Sequence, residues 1–333
     1  MHLLIFAFLL SILLMFGIAR YFLPMLKRLK FGQPIHELAL ESHQLKQGTP
    51  TMGGLMFAAV TSLLTIVFSV LSGFSPSILV LIGFCILSLL IGFADDFTKI
   101  KRKHNRGLKW WQKVAAQIIA GFFFSLYCYL SPGVGSAIIL PFSGAEWDLG
   151  IWYIPVMTLV AVFVVNSANL QDGLDGLLTS VSTVGSFVWS AITLLMMATA
   201  STLTNADGFG ILCFNIVLAG SLLAFLRYNF YPAQVFMGDT GSMFLGAAMM
   251  GVSMLLRLPL LLLPIAFTML MSSVSVIMQR GYFKLTHGKR IFKMSPIHYH
   301  FQKNGMNEPQ IVAMYTAIAG ALGVLAVLSM PWL

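Results

Sequence analysis

Long apolar runs fill this chain, and short polar stretches interrupt them at intervals. A window of about 20 apolar residues is long enough to cross a bilayer as a helix. Ten such windows occur, at 3–24, 51–72, 77–96, 113–131, 151–168, 176–199, 208–227, 236–256, 260–280 and 309–331. None alternates apolar and polar residues with the period of a barrel strand. The pattern predicts an all-α integral membrane protein of ten transmembrane helices, a single polytopic domain over 1–333 with no soluble domain and no internal repeat. The first window exceeds a signal-peptide core and no small-residue cleavage site follows it, so it is read as a retained span. Pro264 and the Ser272-Ser273 pair are expected to bend the ninth window, because proline frees a backbone carbonyl that neighbours must satisfy. In the loop 132–150, Ala137–Phe142 and Trp147–Tyr153 flank Ser-Gly-Ala-Glu, which predicts a small β-hairpin.

Composition agrees with this reading. Of 333 residues 58% are hydrophobic and 9% charged, against about 25% charged in a soluble domain. The charge is lopsided. Nineteen of the twenty Lys and Arg fall on one side of the ten windows, and only Arg257 falls on the other. The positive-inside rule makes the basic side cytoplasmic and puts both termini and the hairpin outside. The net charge of +9 follows from this bias and requires no nucleic acid; anionic lipid and phosphate groups are its natural counter-charges. Cys85, Cys128 and Cys213 lie in apolar runs without disulfide or metal-ligand spacing, and are read as packing residues.

The rare acids then stand out. Asp95, Asp96, Asp172, Asp175 and Asp239 all lie at window ends on the basic side. An acid near a bilayer is costly, about 2.5–3.5 kcal/mol by insertion scales at a helix centre, so each is a functional candidate. In Asp95-Asp96-Phe-Thr-Lys99 the adjacent carboxylates point about 100° apart on a helix and should serve different partners. In Asn166-Ser-Ala-Asn169-Leu-Gln-Asp172-Gly173-Leu174-Asp175-Gly176 the two acids share a face if helical, and the glycines let a phosphate or base approach the backbone. Helix capping is the plainer reading of such residues, but two acids and two asparagines exceed what capping requires. Phe236-Met-Gly-Asp239-Thr-Gly-Ser opens the eighth window. One carboxylate among glycines suits Mg²⁺, which binds one or two carboxylates together with substrate phosphates, and Phe236 is placed to stack on a nucleobase. Ser295-Pro-Ile-His298-Tyr-His300-Phe offers two imidazoles, too few ligands for zinc but suited to clamping a diphosphate. Lys46-Gln-Gly-Thr-Pro-Thr51-Met-Gly-Gly breaks into the second window with small residues. Five polar patches on one membrane face imply a phosphorylated, partly lipidic reaction centre.

Taken in order, GTPTMGG (48–54), DDFTK (95–99), NLQDGLDG (169–176), FMGDTGS (236–242) and SPIHYHF (295–301) resemble the motifs of the polyprenyl-phosphate N-acetylhexosamine-1-phosphate transferases. The first and last resemble the branch of that family that handles a muramoyl-peptide donor. The resemblance spans nearly the whole chain and implies a ten-span fold. It also implies Mg²⁺-dependent transfer of phospho-MurNAc-pentapeptide from UDP-MurNAc-pentapeptide to undecaprenyl phosphate, with release of UMP, by a homodimer in the bacterial plasma membrane. By motif, Asp239 resembles the Mg²⁺ ligand and Asp95 and Asp96 the catalytic pair, one of them a base. Asp172 resembles an active-site acid, and His298 and His300 resemble the family's His cluster near the diphosphate. Lys46, Thr51, Gly173, Leu174, Asp175, Asn229, Phe236 and Gln279 would surround the uridine, with Asn169 in the same motif, while Lys99 and Lys113 would face phosphates. The family's loop usually reads three consecutive His followed by Phe-Glu. Here Tyr299 takes the middle place and Gln302 the last, so a mechanism needing all three His cannot apply.

Two rivals differ in class. A GlcNAc-1-phosphate transferase would share the acids but not the His-x-His loop. An ion-coupled transporter would hold its acids near the bilayer midplane at broken helices, whereas these lie at window ends.

Overall fold

The computed structural model describes residues 2–28, 48–102, 107–199 and 205–330. The helices follow the apolar windows: α1 (His2–Arg28), α2 (Gly54–Leu71), α3 (Pro76–Arg102), α4 (Trp110–Leu130), α5 (Tyr153–Gln171), α6 (Leu177–Thr199), α7 (Asn205–Asn229) and α8 (Gly238–Leu255). After these come the short α9 (Leu262–Ile265), then α10 (Phe267–Leu285), the short α11 (Ile297–Lys303) and α12 (Glu308–Leu328). One two-stranded antiparallel sheet, β1 (Ala137–Ile139) with β2 (Glu146–Asp148), lies between α4 and α5, in the register Ala137↔Asp148, Ile138↔Trp147 and Ile139↔Glu146.

Among the described residues, eight helices are long and apolar enough to cross a membrane: α1–α7 and α12. The count reaches nine if the bent pair Pro259–Ile265 and Phe267–Leu285 is one span. The expected ten is therefore not met by length and apolarity alone. The remaining window became α8, whose first turn, Gly-Asp-Thr-Gly-Ser, is polar. Every residue of α8 from Thr240 to Leu255 is buried. It is the central helix, packed against α3, α5, α2 and α6, and such a helix needs no lipid-facing apolar surface.

The ninth window bends by 85°. The break falls at Ala266, two residues after Pro264. Ser272 and Ser273 lie within unbroken α10 instead, and Ser273 accepts a hydrogen bond from Ser167 of α5 at 2.7 Å. Gln171 of α5 donates to Thr268 at 2.9 Å. Interhelical hydrogen bonds of this kind hold helices together where no hydrophobic drive acts between them.

The hairpin is shorter than predicted, three residues in each strand, because the chain after Asp148 turns into the 3₁₀ segment Gly150–Trp152 that leads into α5. Arg257 fixes it. The Arg257 Nε donates to the Ala137 carbonyl at 3.0 Å, its guanidinium meets Glu146 at 2.9 Å, and its carbonyl accepts from the Ile139 N–H at 2.8 Å. Arg257 is thus structural. Exposed Trp110 and Trp111 mark one end of α4, and exposed Trp147 and Trp152 lie beyond the other, the arrangement of an aromatic belt at each membrane interface. The three cysteines are free and buried, as a packing role requires.

Candidate active site

The first turn of α8 meets the last turns of α3. Helix N-termini expose N–H groups and favour anions, and here the anion belongs to the protein. The Asp96 carboxylate accepts from both the backbone N–H (3.0 Å) and the hydroxyl (2.7 Å) of Thr240. Asp95, one position earlier, turns elsewhere: it accepts from the N–H of Leu108 at 2.8 Å and pairs with Lys99 at 2.7 Å. The adjacent acids take different hydrogen-bond donors, as the helical angle predicts, while Lys99 also lies 3.8 Å from Asp96 and so is shared by both.

Asp239 completes the group. One carboxylate oxygen from each of Asp95, Asp96 and Asp239 falls within a common 4.8 Å, the spacing of a metal-ligand set. Lys113 of α4 reaches Asp239 at 2.7 Å and Lys99 reaches it at 3.2 Å. Asn169 of α5 donates to the other Asp239 oxygen at 2.9 Å, and to Ser242 at the same distance. Three carboxylates close together are stable only with compensating cations, and the two ammonium groups supply part of that charge. The donor set is all oxygen, which suits a hard divalent cation.

Asp172 caps the end of α5 beside this cluster, half-buried. Desolvation, then the charges of Asp239, Asp96 and Asp175, push its carboxyl well above the usual carboxylate range. Gly173 follows, and a Cβ there would overlap the Tyr299 hydroxyl and His298 Nε2. His298 is fully buried against this turn. His300 is engaged elsewhere: its Nδ1 accepts from the Lys293 N–H at 3.1 Å, and its Nε2 lies 3.1 Å from Asn304 Nδ2. The two imidazoles therefore do different work.

Several residues expected around a nucleoside are tied into the protein. Asp175 is buried and accepts from the Ala233 N–H at 2.9 Å. Asn229 is held by Thr179 at 2.6 Å and donates to the Val235 carbonyl at 3.0 Å. Gln279 accepts from the N–H groups of Ile291 and Phe292, at 3.2 and 2.9 Å. Leu174 is buried and Phe236 half-buried. The backbone of Phe236 donates to the Pro50 carbonyl at 2.8 Å and accepts from the Gly53 N–H at 2.9 Å. Thr51, buried in that joined segment, is thereby drawn to the start of α8, where a Cβ on Gly238 would overlap its hydroxyl and the Asp96 carboxylate. Lys46 lies outside the described residues.

The sequence motifs did not single out Thr240, Leu108 or Glu308, and they marked Tyr299 only as a departure from the family's His loop. Thr240 stands in the Gly-Asp-Thr-Gly-Ser motif, but nothing in its residue type announces a carboxylate partner 144 positions away.

The Glycosyl transferase family 4 model matches residues 78–257, and the phospho-N-acetylmuramoyl-pentapeptide-transferase signature 1 matches residues 46–57. A phospho-N-acetylmuramoyl-pentapeptide-transferase of Clostridium novyi (strain NT) is 42% identical over 309 residues, covering 92% of this chain and 91% of its own. The chain belongs to the phospho-N-acetylmuramoyl-pentapeptide-transferase family. Members from Clostridium kluyveri (strain NBRC 12016) and Caldanaerobacter subterraneus subsp. tengcongensis are 40% and 42% identical, covering 96% and 92% of this chain and 98% and 92% of their own. The family model spans the acids of α3 and α8 and the lysines between them. The whole cluster therefore lies in the part of the chain that defines the family, while Tyr299 and Glu308 lie beyond it.

Proposed function

We propose that this enzyme transfers phospho-MurNAc-pentapeptide from UDP-MurNAc-pentapeptide to undecaprenyl phosphate, giving the first lipid intermediate of peptidoglycan and UMP. The observation that carries the reading is the Asp95–Asp96–Asp239 cluster with Lys99 and Lys113 upon it, in a chain of this family. The reading includes ten spans with α8 among them, both termini outside, the cluster facing the cytoplasm of a bacterial plasma membrane, and a homodimer. The nineteen-to-one distribution of basic residues supports the orientation.

Chemically, an oxygen of the acceptor phosphate attacks the β-phosphorus of the donor. A new P–O bond forms, the bond from that phosphorus to the bridging oxygen breaks, and UMP leaves with the electron pair. Asp95 or Asp96 takes any proton carried by the acceptor phosphate. Lys99 and Lys113 screen the anionic oxygens that would otherwise repel one another. Asp239 is the ligand placed to hold Mg²⁺, with Asp95 and Asp96 in reach, and a bound Mg²⁺ supplies charge neutralisation at the diphosphate. His298, buried beside the Asp172 turn, orients the same region. We favour a direct single displacement; trapping a phosphorylated enzyme with donor alone would replace it with a two-step path.

The test is UMP release by the purified protein in detergent with Mg²⁺ and undecaprenyl phosphate, with UDP-MurNAc-pentapeptide and UDP-GlcNAc offered in parallel. Release with the muramoyl donor alone supports the reading. Release with UDP-GlcNAc alone moves the protein to the sister activity, and silence with both refutes the reading.

A further inference from the structure

The turn Asp172–Gly176 joins α5 to α6 and carries two of the chain's rare acids. It is held from outside by three hydrogen bonds. The Tyr299 hydroxyl of α11 donates to the Gly173 carbonyl at 3.1 Å. The Asp175 N–H donates to Glu308 Oε2, in the first turn of α12, at 3.1 Å. The Asp175 carboxylate in turn accepts from the Ala233 N–H. The peptide groups on either side of Leu174 are therefore each gripped by a different element, and Leu174 itself is buried between them.

Glu308 is 3% exposed. A carboxylate is costly to bury unless hydrogen-bonded, so its place at this turn needs a reason, and the Asp175 N–H provides one. Tyr299 stands where the family's loop usually carries its middle His. Its ring lies edge-on to His298 at 4.3 Å between centroids, and its hydroxyl reaches the Gly173 carbonyl because Gly173 has no Cβ in the way.

We propose that Tyr299 and Glu308 are positioning residues that clamp the Asp172–Gly176 turn from two sides and so set where Asp172 stands beside the Asp95–Asp96–Asp239 cluster. This rests on the transfer reading above, but it assigns work to two residues outside the motif acids. Neither residue touches the reacting atoms in this account. Tyr299 acts through its hydroxyl and Glu308 through an oxygen acceptor, so each has a substitution that separates chemistry from bulk.

The test compares Tyr299→Phe, Glu308→Gln, Glu308→Ala and the double variant Tyr299→Phe/Glu308→Ala with the parent enzyme, measuring kcat, donor KM and thermal unfolding. Tyr299→Phe keeps the ring and should lower kcat about five-fold, the scale of one neutral hydrogen bond, with donor KM unchanged. Glu308→Gln retains an acceptor and should stay close to the parent, while Glu308→Ala should lose kcat. The double variant should lose less than the product of the two single losses, because both act on one turn. Parent kcat in Tyr299→Phe overturns the proposal, as does a raised donor KM at parent kcat, which would make Tyr299 a substrate contact. Losses that multiply independently also overturn it. An inactive parent would instead be failure of the transfer reading itself, so the two failures are distinct. Should Glu308→Ala not fold, Tyr299→Phe and Glu308→Gln still decide.

Discussion

Gly92 of α3 lies directly against the backbone carbonyl of Asp239, so closely that a Cβ there would overlap it. This contact sets the distance between the two helices that carry the acids. One turn beyond Gly92, Asp95 and Asp96 face the start of α8, and the 2.7 Å bond from Thr240 to Asp96 spans the same junction. Small residues let membrane helices approach closely, and here closeness is a condition of the site.

Gly92→Ala should therefore part α3 from α8. Overpacking of this kind costs about 1–3 kcal/mol, and the Asp96–Thr240 bond should lengthen with it. We expect at least about a tenfold fall in UMP release, on the scale of 1.36 kcal/mol per factor of ten, together with a lower unfolding temperature. Parent turnover in this variant would mean that the helix spacing does not matter to the chemistry.

Thr240→Val tests the other side of that junction. It keeps the side-chain shape, removes the hydroxyl and leaves the N–H bond to Asp96 in place. Hydrogen bonds to charged groups contribute about 1.5–3 kcal/mol, so kcat should fall about tenfold or more. Thr240→Ser should restore most of it. Equal activity in the Val and Ser variants would show that the backbone N–H alone holds Asp96.

What the sequence disclosed follows from cost. Acids at the ends of apolar windows are expensive, so Asp95, Asp96, Asp172 and Asp239 stood out against their surroundings and do gather at one end of the bundle. Apolar windows located the helices for the same reason. Partners that cost nothing in the sequence stayed hidden. The Leu108 N–H on Asp95 is a backbone group that any residue could supply, and Glu308 looks like an ordinary acid at a helix start. The bend two residues after Pro264 was legible as well, because proline removes a helical hydrogen bond, but the bonds from Ser167 to Ser273 and from Gln171 to Thr268 that dock α10 on α5 are encoded in no local pattern. Arg257 departs from the charge bias because its guanidinium holds Glu146 and the Ala137 carbonyl, partners that its sequence neighbours do not reveal.

Arg257→Gln offers a control at the far end of α8, about 27 Å along the axis at 1.5 Å per residue. The substitution removes the ion pair to Glu146. The hairpin should loosen and the unfolding temperature should fall slightly, because an ion pair to a largely exposed Glu is worth little. Values of kcat and donor KM should match the parent. A changed kcat would tie the hairpin end to the active end and contradict a site confined to the α3–α8 junction.

The last prediction concerns charge at Asp239. In this structure its carboxylate is shared by Lys99, Lys113 and Asn169, so Asp239→Asn removes a negative charge on which both ammonium groups converge. Asn keeps the size and can still accept a hydrogen bond, so the fold should survive with an unfolding temperature near the parent's. Turnover should disappear because a divalent cation and Lys113 would lose their anchor, while Lys99 would keep only Asp95 and Asp96. Chelation of the parent enzyme should likewise abolish UMP release, and added Mg²⁺ should restore it. The two results separate a metal role from a lysine-positioning role. If chelation stops the parent and raised Mg²⁺ restores part of the turnover of Asp239→Asn, Asp239 serves the metal. If chelation leaves the parent untouched while Asp239→Asn is still dead, the carboxylate works by holding Lys99 and Lys113, and the oxygen cluster is not a metal site.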